Sequence, residues 1–367
     1  MGKNTIAFSK STQIQQAADA LTTKGIEQLR ETRASAMTTS TTNTTPKPTL
    51  RQHLTSERQQ YPAIPDAISH LLCVLAAAGQ EIGRKVSQVS LLELTGTHGT
   101  HNSSGDVQQQ LDMLAHDCLI SRLTATQTVC AIISEEAEEL IQTPSRDSLY
   151  TIALDPLDGS LNIDVNAPVG TLFSIYQRVT PCGAVATLAD VLQAGDRQIA
   201  AGYLLYGTST MFVYTAGHGV HGFTYDLATE EFRLTHPTIQ IPQTGKIYAI
   251  NDAHFSSFPS AVQQYVRYCR ECRYTARYMG ALVADFHRHL LQGGIYLYPP
   301  TSKNPTGKLR LLLECNALAL IATQAGGAAS NGQQAILSIA PHTIHQRTPL
   351  YIGSASMVAQ LLSYGPA

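Results

Sequence analysis

The hexapeptide Asp155-Pro156-Leu157-Asp158-Gly159-Ser160 sets two carboxylates three residues apart, directly after the apolar run 150–154. Oxygen donors gathered this way suit a hard dication such as magnesium. Gly159 lets the backbone come close to a ligand, and the N–H groups of Gly159 and Ser160 can cradle a phosphate. Asp, Pro and Gly are also ordinary turn residues, so the segment taken alone reads equally as a surface turn. Glu135-Glu136 follows a second apolar run, 129–133. Acids at the C-terminal ends of two strands can meet in one crevice. Neighbouring glutamates repel, and a cation relieves that cost, although Glu138 and Glu139 extend the charge into what could be a plain acidic loop. Asp112 stands among Leu111, Met113 and Leu114, where an acid needs a partner. Lys308-Leu309-Arg310 precedes Glu314 by a spacing that puts Arg310 and Glu314 on one helix face. There Glu314 either pairs with Arg310 or binds a metal. Paired carboxylates, a lysine, an arginine and a glycine turn are the parts of phosphoryl transfer, which needs metal, cations and an in-line water. These residues do not name the substrate.

The elements that must hold them follow from hydrophobic periodicity. Runs 129–133 and 150–154 predict buried strands, the second ended by Pro156. Further strands are expected over 171–177, 200–206, 211–215 and 222–225. Ile68, Leu71, Leu72, Leu75 and Ile82 recur at helical spacing, predicting a helix over 66–84. Val107, Leu111, Leu114 and Cys118 predict a second, started by Gly105-Asp106. Residues 246–250 open a second lobe. It continues through a helix over 283–291, a strand over 295–298 and a helix over 309–325, closed by Gly326-Gly327. Strands alternating with helices imply a layered α/β or α+β protein.

With 367 residues and 43% hydrophobic content the chain can bury a large core in two lobes. A net charge of -2 offers no basic field to nucleic acid, and no apolar run is long enough for a bilayer. Seven scattered cysteines form no disulfide framework, which favours a reducing compartment; Cys269 and Cys272, a lone C-x-x-C, read as one helical turn. Residues 1–48, rich in Thr and Ser, read as a flexible extension. A cytoplasmic location is expected, or an organelle if the extension is a transit peptide.

The chain resembles class I fructose-1,6-bisphosphatase of the bacterial type. The stretches that carry the resemblance are SEE at 134–136, DPLDGS at 155–160 with NID at 162–164, and VGTLFSIY at 169–176. They continue with AGYLLYGTSTM at 201–211, RYMGALVADFHRHLLQGGIYLYP at 277–299, GKLRLLLECN at 307–316 and IHQR at 344–347. The hexapeptide is shared with inositol phosphatases, whereas the long second-lobe blocks are specific. The resemblance implies a layered α-β-α-β-α sandwich, with a regulatory lobe over 49–238 carrying most metal ligands and a substrate lobe over 239–367. It implies a homotetramer acting on a small sugar bisphosphate and using magnesium, with manganese able to substitute. Glu135, Glu136, Asp155, Asp158 and Glu314 would hold the metal with the Leu157 carbonyl. Asp112 and Glu136 would handle the proton of the attacking water. Arg310, Asp158, Gly159 and Ser160 would meet the 1-phosphate side. Asn251, Tyr278 and Tyr298 would hold the distal phosphate, Lys308 the sugar, and Arg277 a neighbouring subunit's substrate.

Departures from the family pattern are informative. Leu161 stands for a serine, Leu313 for a tyrosine and Leu282 for a methionine, and His254-Phe255 lie where a phosphate-binding tyrosine is usual. The AMP-binding loop of inhibited relatives is Tyr61-Pro62-Ala63-Ile64-Pro65-Asp66 here, with Leu149 and Gln177 in place of two cations. Two prolines lack N–H donors and Asp66 repels phosphate, so AMP inhibition is expected to be weak or absent. The pathway, gluconeogenic or carbon-fixing, is open. So is dual action on sedoheptulose 1,7-bisphosphate. A catalytically silent sugar-phosphate-binding protein ranks below both, because every expected acid is present.

Overall fold

Two sheets and three helical layers arise from the strand and helix patterns. The computed structural model describes residues 46–92, 97–101 and 107–367; the expectation for the N-terminal extension and that for Asp106 fall almost wholly outside them. Among the described residues three helices precede the large sheet: α1 (Leu50–Gln60), α2 (Asp66–Val86) and α3 (Gln110–Ala125). Thr49 and Gln52 form a reciprocal capping box at the start of α1. Asp66 in the first turn of α2, with Arg84 and Lys85 in its last, complement the helix dipole. A short hairpin, β1 (Thr97–His101) with β2 (Val107–Gln109), leads into α3. Val107 therefore belongs to a strand and not to the helix expected there, which begins three residues later.

The large sheet contains β3 (Val129–Ser134), β4 (Ile141–Gln142), β5 (Tyr150–Asp158), β6 (Val169–Gln177), β7 (Gln198–Tyr206), β8 (Thr210–Thr215), β9 (His221–Asp226) and β10 (Glu231–His236). Its order is β10-β9-β8-β7-β6-β5-β3-β4. Only β3 and β5 pair in parallel, which brings their C-terminal ends to the same edge. One face of this sheet, with Ile152, Leu154, Phe173, Ile175, Leu204 and Phe212, packs on α1–α3. Alternate residues such as Leu172, Tyr203 and Val213 point the other way.

The second sheet holds β11 (Ile247–Ala249), β12 (Thr275–Ala276), β13 (Ile295–Tyr298), β15 (Ala328–Ser330) and β17 (Leu350–Gly353) in the order β12-β11-β13-β17-β15. A separate pair joins β14 (Leu309–Arg310) to β16 (Arg347–Thr348). Helices α5 (Leu282–Gln292) and α6 (Asn316–Gln324) lie between the two sheets, sharing a core of Leu172, Tyr203, Val283, Phe286, Leu318, Tyr296 and Ile352. Helices α4 (Ser260–Glu271) and α7 (Ala355–Ser363) cover the far face through Ile295, Leu297, Tyr265 and Met357. The layers thus run α-β-α-β-α, as expected. All seven cysteines are free; Cys269 lies in the last turn of α4 and Cys272 caps it. No helix among the described residues is long and apolar enough to cross a membrane.

Candidate active site

The carboxylates converge because β5 is not regular. The strand does not stop at Pro156: pairing to β6 runs from Asp155↔Leu172 to Asp158↔Gly170 with a register shift between them. Three residues apart on a plain strand, two side chains face opposite sides. The extra residue of the bulge brings Asp155 and Asp158 to one side. Proline removes a donor where the ladder is broken, and the Thr171 hydroxyl donates to its carbonyl at 2.8 Å. The Leu157 N–H donates to Asp155 Oδ1 at 3.1 Å. Gly159 follows at φ +81°, and a Cβ there would sit 2.3 Å from the Ala281 Cβ. Glycine is therefore required by both conformation and space.

Glu135 is held next to Asp155 by the parallel pairing, its N–H donating to the Leu154 carbonyl at 3.0 Å. Asp112 enters from the first turn of α3 and is buried. Asp158 Oδ2 accepts the Val283 N–H at 2.7 Å, so the N-terminus of α5 orients it. Residues 309–325 do not form one helix. Arg310 is extended on β14, residues Leu311–Cys315 make a single π-turn, and α6 begins at Asn316. Arg310 and Glu314 therefore do not face each other along a helix. Instead Glu314 Oε2 accepts the backbone N–H of Arg310, which frees the guanidinium to reach Glu135 Oε1 at 2.6 Å. Such π-turns recur at functional sites.

One oxygen from each of Asp155, Asp158 and Glu314 lies within 4.8 Å of the others. All three side chains are buried. Burial, joined by neighbouring acids, pushes Asp155 well above the usual carboxylate range. Burial also lifts Asp158 to about 7, against backbone N–H groups that lower it, and Glu314 to about 8. An all-oxygen cluster that resists ionisation unaided fits a hard dication.

These residues line a cleft of about 300 Å³. Twelve predicted site residues border it: Asp112, Glu135, Glu136, Asp155, Asp158, Gly159, Ser160, Tyr278, Tyr298, Lys308, Arg310 and Glu314. Three do not. The Leu157 side chain joins the core. Arg277 is exposed, beside its own chain. Asn251 lines an adjoining basin of about 260 Å³ with His254, Lys303 and Asn304, and Tyr298 and Lys308 border both spaces. Sequence reasoning missed Lys303, and it missed Asp285. The buried Asp285 carboxylate accepts the N–H groups of Met279 and Gly280 and so fixes the loop bearing Tyr278. Its burial lifts its pKa to about 6. A larger depression of about 770 Å³, bordered by Arg146, Asp147 and Leu149, takes in none of these carboxylates.

Fold and cleft together define an enzyme of the sugar-phosphatase class. Residues 48–237 match the family model described as "Fructose-1-6-bisphosphatase, N-terminal domain", and residues 241–365 match its C-terminal domain. A relative from Amoebophilus asiaticus, "Fructose-1,6-bisphosphatase class 1", is 51% identical over 316 residues, covering 86% of this chain and 96% of its own. The Leishmania major fructose-1,6-bisphosphatase in holo form superposes with a TM-score of 0.82 at 34% identity, covering 88% of this chain and 99% of that one. Its apo form gives 0.77 at the same identity, over 87% and 99%. The chain belongs to the class I fructose-1,6-bisphosphatase family.

Proposed function

We propose that the chain hydrolyses the 1-phosphate of D-fructose 1,6-bisphosphate, releasing fructose 6-phosphate, with magnesium in the acid cluster. The observation that carries this reading is the convergence of Glu135, Asp155, Asp158 and Glu314 with one guanidinium, next to a basin containing two lysines. Asp155, Asp158 and Glu314 would hold the metal with Glu135, Glu136 and the Leu157 carbonyl; manganese has similar oxygen preferences and would substitute. Bound there, such an ion neutralises phosphoryl oxygens and makes water a better nucleophile. Arg310 meets the charge of the transferring group, and the N–H groups of Gly159 and Ser160 orient it. Asp112 and Glu136 take the proton of the attacking water and titrate as a pair. Asn251, Tyr278 and Tyr298, with Lys303, hold the distal phosphate, and Lys308 holds the sugar.

The lobes divide as 49–238 and 239–367. Arg277, exposed and outside its own cleft, serves a neighbour in a homotetramer. The continuity of cleft and basin through Tyr298 and Lys308 favours a second substrate, sedoheptulose 1,7-bisphosphate. Insensitivity to AMP is supported by Pro62 and Pro65, which offer no N–H donor, and by a half-exposed Leu149 where a cation would be needed.

The test is phosphate release from fructose 1,6-bisphosphate with and without magnesium, run beside sedoheptulose 1,7-bisphosphate and inositol monophosphate. Magnesium-dependent release from the fructose substrate, unaffected by micromolar AMP, supports the reading. A folded enzyme that binds the bisphosphate and releases no phosphate overturns it, and strong inhibition by AMP overturns the regulatory part.

A further inference from the structure

A second cluster of metal-ligating side chains lies on elements that contribute nothing to the acidic cleft. His53 and Glu57, four residues apart, share one face of α1. His221 opens β9 on the large sheet. One ligand atom from each lies within 4.8 Å of the other two, and His221 Nε2 is 3.5 Å from Glu57 Oε1. His53 Nε2, Glu57 Oε1 and His221 Nε2 are all shielded from solvent and none makes a hydrogen bond. Three converging ligand atoms, buried without a well-aligned hydrogen bond, are unusual in a folded interior.

The remaining polar atoms of the cluster are engaged. The Tyr214 hydroxyl donates to Glu57 Oε2 at 2.6 Å. His221 Nδ1 donates to the Pro237 carbonyl at 2.5 Å, which leaves Nε2 to face the cluster. A ligand imidazole fixed by a carbonyl, and a ligand carboxylate fixed by a hydroxyl, are how metal ligands are commonly oriented. The two imidazole rings lie 4.5 Å apart between centroids, with Phe223 against His53. Burial holds the His53 imidazole near a pKa of about 4, so its ring is neutral at physiological pH. At His221 burial also lowers the pKa, but the Glu57 carboxylate and the Pro237 carbonyl outweigh it and raise the ring above the ordinary imidazole value, so zinc would have to displace a proton there.

We propose that His53, Glu57 and His221 form a structural zinc site that fastens α1 to the β8–β9 side of the large sheet. Two imidazole nitrogens and one carboxylate oxygen are a borderline donor set that suits zinc, whereas the all-oxygen cleft suits magnesium. A tetrahedral ion with bonds of 2.0–2.1 Å, its fourth position taken by a water molecule, keeps its ligands about 3.4 Å apart, within a small side-chain adjustment of the spacing here. The rival is an ion pair of protonated His221 with Glu57, and it predicts no metal.

Full-length protein is stripped with chelator and given zinc near neutral pH, with excess magnesium to occupy the acidic cleft. Zinc content, zinc titration calorimetry and thermal melts are compared for wild type, His53→Gln and His221→Gln. The expected result is one zinc per wild-type chain that raises its Tm. In both variants zinc affinity falls by at least about 100-fold, beyond the 10–100-fold of lost outer contacts. Cobalt in place of zinc gives the visible absorption of a four-coordinate, nitrogen-bound ion in wild type alone. His53 is only partly buried, so His53→Gln should fold and keep its phosphatase activity, and it decides the case if His221→Gln does not fold. Equal zinc uptake by wild type and His53→Gln overturns the proposal, as does wild type taking up no zinc under magnesium.

Discussion

Glu314→Gln separates the demands of the acid cluster from those of the fold. The substitution keeps size and leaves a carbonyl oxygen to accept the Arg310 N–H that Glu314 Oε2 accepts now. It removes one of three carboxylates packed within 4.8 Å. Two unit charges 4.8 Å apart repel by about 3.5 kcal/mol at an effective dielectric near 20. With Asp158 and Glu314 titrating at about 7 and 8 the acids are not all ionised near neutral pH, so that figure is an upper bound for each pair Glu314 makes. It is reduced further by the attraction Glu314 loses to Arg310, whose guanidinium is already committed to Glu135. Protonation of Glu314, whose pKa burial lifts to about 8, already relieves part of that strain at neutral pH. A gain of about 2–4 kcal/mol remains for the metal-free protein. Melts in chelator near neutral pH should therefore show the variant several degrees more stable than wild type. Adding magnesium should raise the wild-type Tm more than the variant's, and phosphate release by the variant should fall by about 10²-fold or more. A metal-free variant less stable than wild type would refute the reasoning, because the cluster would then not be a site of stored repulsion.

Arg310→Met should lower kcat by about 10²–10³-fold, the scale for losing a donor to developing charge, with a smaller change in KM on steady-state assay. Gly159→Ala must adopt φ +81° and push Ala281 aside; denaturant unfolding should show a loss of about 2–4 kcal/mol. His289 is buried and its pKa lies at about 4 because of that burial. The unfolded chain therefore takes up the proton first, and stability falls as pH drops from 6.5 toward 4, by up to ~1.4 kcal/mol per pH unit. Asp285, raised to about 6, acts in the opposite sense, so the comparison is with His289→Gln. Urea midpoints against pH should fall less steeply for that variant.

Six of the eight strands of the large sheet were legible because their cores are apolar and short, and β3 and β5 are buried along their whole length; the edge strands β4 and β10 were not. The helix over 66–84 was legible from one periodic stripe. Three local features were not. Pro156 reads as a strand end, yet a bulge carries β5 past it, because a missing donor is tolerated where the ladder is already broken. Residues 309–325 are apolar throughout, so periodicity cannot reveal the π-turn that puts Arg310 and Glu314 to separate use. Val107 carries a helix-compatible apolar side chain but pairs as a strand. The acids of the cleft were found from types and spacing. Asp285 and Lys303 were not, since their places depend on how a loop returns to the cleft. Neither α1 nor its His53–Glu57 pair was anticipated, and His221 comes from a strand more than a hundred residues away, so only the fold brings the three together.

The order of elements around the cleft explains why its repulsion does not unfold the chain. Each acid is anchored by an element whose own core is independent of it: β3 and β5 through Ile132, Ile152 and Leu154, and the π-turn through Leu311 and Cys315. A full core residue contributes about 1.5–3 kcal/mol, so a few flanking residues outweigh the few kcal/mol stored among the carboxylates. The backbone N–H groups of Val283 and Arg310 hold Asp158 and Glu314 in one orientation, so neither acid can escape by turning toward solvent. The repulsion therefore persists in the folded protein, where the proposed dication would relieve it. At His53, Glu57 and His221 the contacts from Tyr214 and Pro237 orient two of the proposed zinc ligands in the same way, although there Glu57 and His221 attract rather than repel. In both places a rigid frame presents the donor atoms, and their kind, oxygen only in one and nitrogen with oxygen in the other, decides which ion each would select.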